Sequence, residues 1–174
     1  MNKIDITQTA PTVKRSKLFD IVFYVIQWTW GFSVNIVGGI AYLICTKIMG
    51  YDHQKFGYAN IVYMPWNQGG LSMGTFIFMR KDHPNKEWTY NTRIHEYGHT
   101  WQCLLLGPLY YPVIAIPSVI WCHCFAKYRE KNNVSYYKLY CESWANSWGE
   151  KFSEMKRTET KVCKRGFKLC CPLR

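Results

Sequence analysis

The sequence is short of acidic residues: 11 Asp and Glu stand against 22 Lys and Arg, so the formal net charge is +11 over 174 residues. Such a charge favours an anionic partner, either nucleic acid or a lipid surface. The sequence also lacks a paired Cys/His finger spacing, an RNP-like stretch and a basic heptad. Aromatic residues make up 17% of the chain. We therefore expect the basic residues to flank a lipid bilayer, with no nucleic acid as partner.

The first residues lack the short apolar core and the small-residue cleavage site of a secretion signal, so we expect no cleaved leader. Eight cysteines are enough for a disulfide framework, but several, such as Cys45 and Cys103, lie within or beside apolar runs. A reduced cysteine behaves there as a small hydrophobic residue. We expect reduced thiols facing a cytoplasm. The length favours one domain with a substantial core.

Charge is absent from two long segments, residues 21–46 and 101–126. The first exceeds the roughly 20 residues that cross a bilayer, and it forms either one tilted span or two helices broken near Trp30–Gly31. We expect a membrane-embedded helical segment over residues 18–49, preceded by a flexible basic arm over 1–17. A loose basic tail is expected over residues 151–174.

Residues 50–91 are rich in glycine, aromatic and turn-forming residues. Within them "NIVYM" and "GTFIFM" read as two strands separated by "PWNQGG". The pattern predicts a small β-hairpin or sheet. It either seals a site from solvent or presents a strand edge to an extended substrate.

The segment "TRIHEYGHTWQC" contains the motif H-E-x-x-H at residues 95–99. On a helix beginning near residues 91 or 92, His95 and His99 share one face, because residues i and i+4 are neighbours. Two such imidazoles can bind one Zn²⁺, and Glu96 can take a proton from the attacking water.

The third ligand is not part of this motif. A metzincin needs Gly at position 102 and His at position 105, but Gln102 and Leu105 stand there, so that subclass is excluded. The thermolysin-like subclass takes a glutamate from a later helix, and "CESWANSWG" offers Glu142.

"HEYGH" followed by "ESWAN" resembles the H-E-x-x-H and E-x-x-A-D signature of gluzincin membrane proteases of the prenyl-protein-processing and HtpX-like kind. The chain is also similar to small bacterial membrane proteins that share four further features. These are T-W-G in the first apolar segment, HE(Y/F)GH-x-x-Q, a following GPL, and E-x-x-A near W-G. The resemblance covers most of residues 18–150. It implies zinc ligands His95, His99 and Glu142, general base Glu96, a peptide or protein substrate, possible attachment of that substrate to the membrane, and a bacterial inner membrane.

One position departs from this pattern: the aspartate expected four residues after Glu142 is Asn146. A carboxylate there would orient a ligand histidine through its ring N–H, as part of the second shell of the metal. Asn146 can accept that hydrogen bond but carries no charge. The residue that stabilises the oxyanion is not assigned, and Tyr136, Tyr137, Tyr140 and His123 are the candidates.

The positions of the other acidic residues downstream of the motif also favour Glu142 as the third ligand. Glu130 lies in a charged run, and three others belong to the charged end of the chain: Glu150, Glu154 and Glu159. Glu142 alone lies among aromatic and small residues, where an unpaired carboxylate is costly to bury.

A single crossing by residues 101–126 would place His99 and Glu142 on opposite sides of the membrane. Gly107 and Pro108 end a helix, so we expect a re-entrant helical hairpin that returns to the side of the histidines. Basic residues near Lys14 and in "KYREK" place the active site on the cytoplasmic face. Residues 50–150, with the hairpin 101–126, would form a minimal zincin-like core.

The sequence thus predicts a mainly α-helical membrane protein with a small β element and one zinc site, acting as a metallopeptidase. Two alternatives stay open. One is a membrane scaffold or regulator with an inactive metal site, which Asn146 motivates. The other is a metal-dependent amide or lipid hydrolase.

Overall fold

The computed structural model describes residues 15–158, which form a mainly helical protein with one four-stranded sheet. In chain order the elements are α1 (Lys17–Thr29), α2 (Phe32–Leu43), β1 (His53–Phe56), β2 (Ala59–Met64), β3 (Gly70–Met73), β4 (Phe76–Arg80), α3 (Lys86–Leu106), α4 (Ile116–His123), α5 (Ala126–Lys131) and α6 (Tyr140–Ser153). Short turns of 3₁₀ and π helix complete the connections: Ile44–Ile48, Gly107–Leu109, Tyr111–Ala115 and Tyr136–Lys138.

The first apolar segment is two helices that bend by 91°, with the break at residues 30–31. Buried polar side chains fix this break. The Asn35 amide lies 2.7 Å from Gln27 Oε1, and its Oδ1 accepts from both the backbone N and the hydroxyl of Thr75 at 2.9 Å. Gln27 Nε2 donates to the carbonyl of Thr100 at 3.0 Å. The break is thereby attached to the sheet and to the helix that carries the histidines.

The second apolar segment reverses direction where the sequence predicted. Helix α3 ends at Gly107, whose φ of 52° is a conformation that favours glycine. Pro108 follows, and the chain bends by 119° before α4. Trp30 packs on this turn and donates from Nε1 to the carbonyl of Leu105 at 3.1 Å. The helical hairpin is therefore present.

Within residues 15–158 no single helix is both long and apolar enough to cross a bilayer, although each of the two bent pairs passes that test when its halves are combined. The predicted arm and tail lie largely outside the described residues. The predicted boundary at residue 151 falls inside α6, and Met155 beyond it is buried.

The sheet has the strand order β1-β2-β4-β3. Of the predicted hairpin or sheet, the sheet is present, and the two apolar strands do not form a hairpin, because β2 and β4 pair in parallel with Ile61 opposite Ile77. The tight turns lie elsewhere: Gly57 joins β1 to β2 and Gly74 joins β3 to β4, both with positive φ. Strand β3 comes between β2 and β4 in the chain and runs antiparallel to β4. Strand β4 therefore runs in the same direction as β2 and pairs with it in parallel. Strand β3 becomes an edge of the described sheet.

Helix α3 is the central helix, with residues 90–103 all buried. It begins earlier than predicted, because Asn85 caps it by accepting hydrogen bonds from the backbone N–H groups of Glu87 and Trp88. Helix α6 packs directly on it. A Cβ at Gly98 would lie 1.9 Å from the carbonyl oxygen of Ala145, and one at Gly149 would lie 2.0 Å from that of Ile94. Only glycine at both positions permits this close approach.

Helices α1, α2 and α4 expose large apolar side chains on their outer faces. Those at least half exposed in these three helices are Leu18, Ile21, Val25, Phe32, Ile40, Leu43, Ile116 and Val119. Four described cysteines are free thiols: Cys45, Cys103, Cys124 and Cys141.

Candidate metal centre

Helices α3 and α6 bring three predicted ligands together in the interior. The rings of His95 and His99 lie on one face of α3 with centroids 4.8 Å apart. Glu142 projects from the first turn of α6, its Oε2 3.0 Å from His95 Nε2 and 3.6 Å from His99 Nε2. One ligand atom from each residue lies within 4.8 Å of the others, and all three side chains are buried. Two nitrogens and one oxygen thus converge on one point.

Hydrogen bonds fix which ring nitrogen of His99 carries its proton. His99 Nδ1 lies 2.7 Å from Gln102 Oε1, and Gln102 Nε2 donates to the carbonyl of Cys141 at 2.9 Å. A carbonyl only accepts, so the amide of Gln102 must present its oxygen to His99. His99 therefore donates from Nδ1, and Nε2 is the ring nitrogen that faces Glu142 and can bind a metal once it has lost its proton.

His95 is held in the same way by α6. Its Nδ1 lies 2.7 Å from Asn146 Oδ1, which also accepts from Arg157 Nη1 at 2.5 Å. Asn146 thus takes the position predicted for it, beside a ligand histidine. Both imidazoles present Nε2 to the same point, which is the arrangement that metal-binding histidines need.

The electrostatics of the centre couple Glu142 to the histidines. Burial raises the pKa of Glu142, but hydrogen bonds from His95 and His99 outweigh it and hold that pKa well below its usual range. Burial lowers the pKa of His99, yet the hydrogen bond and charge of Glu142 raise it to about 9. In the absence of a cation, the positive charge of protonated His99 compensates the negative charge of the buried Glu142 carboxylate.

The donor set fits a metal ion. Glu142 Oε2 is buried and faces both Nε2 atoms, while Oε1 lies 3.8 Å from the thiol of Cys141. Burial raises the pKa of that thiol to about 12, so Cys141 stays neutral. A cation placed between the three ligand atoms would take the place of the imidazole protons beside Glu142 Oε2. Among residues 15–158 this is the one such group of His, Cys, Asp or Glu, and His95, His99 and Glu142 can bind a metal ion.

Glu96 lies beside the centre, buried, and is held by the edge strand β3. Ser72 Oγ lies 2.6 Å from Glu96 Oε2 and 2.9 Å from the carbonyl of the same residue. A Cβ at Gly70 would lie 2.2 Å from Glu96 Oε1, so β3 passes in direct contact with this carboxylate. Strand β3 therefore fixes the orientation of Glu96.

A cavity of about 310 Å³ opens on the metal centre. Its polar side includes His95, Glu96 and His99, and its other side includes Ile114 and Val119 from the returning half of the hairpin. Residues 68–72 form another wall. A substrate entering this cavity would meet His95, His99, Glu96 and the β3 edge together.

The four oxyanion candidates are not equally placed. Tyr136, Tyr137 and His123 line the cavity, whereas Tyr140 does not, and its hydroxyl donates to the carbonyl of Val113. Tyr136 bonds to Ser118 across 2.8 Å. Burial and then the charge of Glu142 raise the pKa of Tyr136 well above its usual value, so its phenol stays protonated. Tyr136 therefore brings a phenol O–H donor to the cavity.

Three residues of the site were not predicted from the sequence. Gln102 stands three residues after His99 on the same helix face, a spacing that could have indicated its contact. Ser72 and Arg157 carry no such signal, because they reach the site from a strand and from the segment after α6.

Comparison of the chain with protein families, with curated proteins and with solved structures finds no match. Any function must therefore be argued from the site itself.

Proposed function

We propose that the protein is a zinc-dependent peptidase whose single metal centre is His95, His99 and Glu142. The observation that carries this proposal is the convergence of these three donors beside a cavity that His95, His99 and Glu96 line. Two imidazole nitrogens and a carboxylate oxygen, with room for a further ligand, are the donor set of catalytic zinc sites.

The chain's own residues supply the proton transfers. Zinc bound at this centre contributes Lewis-acid polarisation of the scissile carbonyl. Glu96 accepts a proton from the attacking water and delivers it to the leaving amine. Ser72 holds the Glu96 carboxylate in the orientation that this transfer needs. The protonated phenol of Tyr136 donates to the negative charge that develops on the carbonyl oxygen.

We infer an extended peptide or protein substrate from the position of β3. This strand pairs only with β4 in the described sheet, and its residues 70–72 line the cavity. An extended chain added to a free strand edge is held by backbone hydrogen bonds, whatever its sequence. Of the two roles predicted for the β element, this placement favours substrate binding.

We infer that the partner of the outer helical faces is a lipid bilayer. The exposed apolar side chains of α1, α2 and α4 accompany a net charge of +11, which complements anionic headgroups. Both bent helix pairs would dip into one leaflet, with the site at the cytoplasmic surface of a bacterial inner membrane. Flotation with vesicles containing phosphatidylglycerol tests this; recovery of all protein in the lipid-free fraction would refute it.

The decisive test of the enzyme proposal is Glu96→Gln. This change removes the base but no metal ligand, so zinc content should stay at one ion while hydrolysis of a peptide library is lost. Equal cleavage by the two proteins would refute the role of Glu96. The same assay run on ester and simple amide substrates distinguishes a peptidase from a lipid or amide hydrolase.

An inactive metal-bearing scaffold is the second candidate, and Asn146 is the observation that favours it. The uncharged amide makes His95 a weaker base than a carboxylate would. Zinc bound at full occupancy in the unmodified protein, with no cleavage of any substrate class, would support this alternative.

A further inference from the structure

Arg157 lies just beyond α6 and contacts the metal centre through Asn146. Its Nη1 donates to Asn146 Oδ1 at 2.5 Å, and Glu150 accepts from its backbone N at 3.1 Å and pairs with Nε at 3.4 Å. The guanidinium also lies 5.6 Å from the ring centroid of Tyr137, which packs against His95. The sequence pattern assigned Arg157 no role.

The segment carrying Arg157 is fixed independently of its side chain. Thr158 N donates to Asn91 Oδ1 at 2.9 Å, and Asn91 Nδ2 donates to the Thr158 hydroxyl at 2.7 Å. Tyr90 donates to the carbonyl of Lys156 at 3.0 Å, and Met155 is buried. A change confined to the Arg157 side chain should therefore leave this segment in place.

An asparagine amide has an oxygen side and an NH₂ side, and the two have opposite effects on His95. If Oδ1 faces His95, then Nδ1 carries the proton and Nε2 is free to bind a metal. If the NH₂ faces His95, then Nδ1 must accept, the neutral ring carries its proton on Nε2, and that atom cannot be a ligand. Asparagine alone does not select between these two orientations.

Arginine can only donate hydrogen bonds. Because Arg157 lies against the same atom of Asn146 as His95 does, that atom must be the amide oxygen. We propose that Arg157 is a positioning residue: it holds Asn146 with Oδ1 toward His95, and so keeps His95 Nε2 available to the metal. The proposal rests on the metal centre of the proposed function. It explains how an asparagine can serve where the resemblance places an aspartate, whose two oxygens need no such selection.

The test is a double-mutant cycle on zinc affinity, measured by competition with a chromogenic chelator. Arg157→Met should weaken zinc binding about tenfold. In the Asn146→Asp background either carboxylate oxygen accepts from His95, so adding Arg157→Met should change affinity by less than about threefold. Lys156→Met is the matched control; it removes a neighbouring exposed positive charge and should leave affinity unchanged.

The outcomes separate the two proposals. Failure of the unmodified protein to bind zinc would refute the metal centre itself. Zinc binding with no loss in Arg157→Met, or an equal loss in both backgrounds, would leave the metal centre standing but overturn the role of Arg157, because a purely structural role costs the same with either residue at position 146. Thermal unfolding of each variant, monitored by circular dichroism, checks that folding is retained.

Discussion

Replacing Gly98 by alanine should remove the metal centre by separating two helices. A Cβ at this position would lie 1.9 Å from the carbonyl oxygen of Ala145, whereas ordinary contact begins at 3.4 Å. The obstacle is backbone on both sides, so no side-chain rotation relieves it. Helices α3 and α6 must therefore move apart locally by about 1.5 Å. Metal–ligand distances tolerate only about 0.2 Å, so Glu142 can no longer share an ion with His95 and His99.

We expect Gly98→Ala to weaken zinc binding about 100-fold or more and to lower stability by about 1–3 kcal/mol through overpacking. Chelator competition gives the affinity, and chemical denaturation gives the free energy of unfolding. Gly39→Ala is the matched control, because a Cβ there meets the Phe76 ring at an ordinary 3.4 Å. That control should bind zinc normally and gain about 0.5–1 kcal/mol as a helix-interior alanine. Folded Gly98→Ala protein with unchanged zinc affinity would show that the packing of α6 on α3 does not set the site.

Three further predictions concern the site. Glu142→Ala should lose most bound zinc by elemental analysis, whereas Glu130→Ala, on the exposed side of α5, should retain it; full occupancy in the first variant would mean that Glu142 is not a ligand. Tyr136→Phe should lower kcat about 100-fold with zinc content unchanged, while Tyr140→Phe, outside the cavity, should keep the normal rate; equal rates would exclude Tyr136 as oxyanion donor. In the metal-free protein the pKa of His99 is about 9, above its ordinary 6.5. The stability it contributes should be complete below about pH 6.5 and lost as pH rises through about 9. Zinc displaces the same proton, so apparent zinc affinity should rise across that interval, and a flat profile in competition titrations would contradict the coupling.

Glu150 makes a poor control for such experiments. From the sequence it belongs to the charged end of the chain and reads as solvent-exposed. The structure pairs it with Arg157, which contacts Asn146 beside His95. A change at Glu150 can therefore reach the metal centre indirectly.

The sequence was sufficient where local chemistry decides the structure. Spacing of four places His95 and His99 on one face of any helix, and Gly107 with Pro108 ends that helix whatever surrounds it. Glu142 could be selected because a carboxylate among aromatic residues needs a partner when buried. These features depend on residues close together in the chain or on composition. They account for the mainly helical fold, the hairpin and the three converging ligands.

Tertiary structure decided what depends on distant segments. Strands β2 and β4 pair in parallel, and β3 lies at the edge of the sheet. The apolar runs predict that strands are present, but they do not indicate which strands are neighbours in the sheet. Ser72 reaches Glu96 only because that edge passes over α3, and Arg157 reaches Asn146 only because residues 154–158 fold back along α6. Tyr136 and Tyr140 are near neighbours in the chain, yet one lines the cavity and the other does not. The direction of a side chain is set by the packing of whole elements, which no spacing within the sequence specifies.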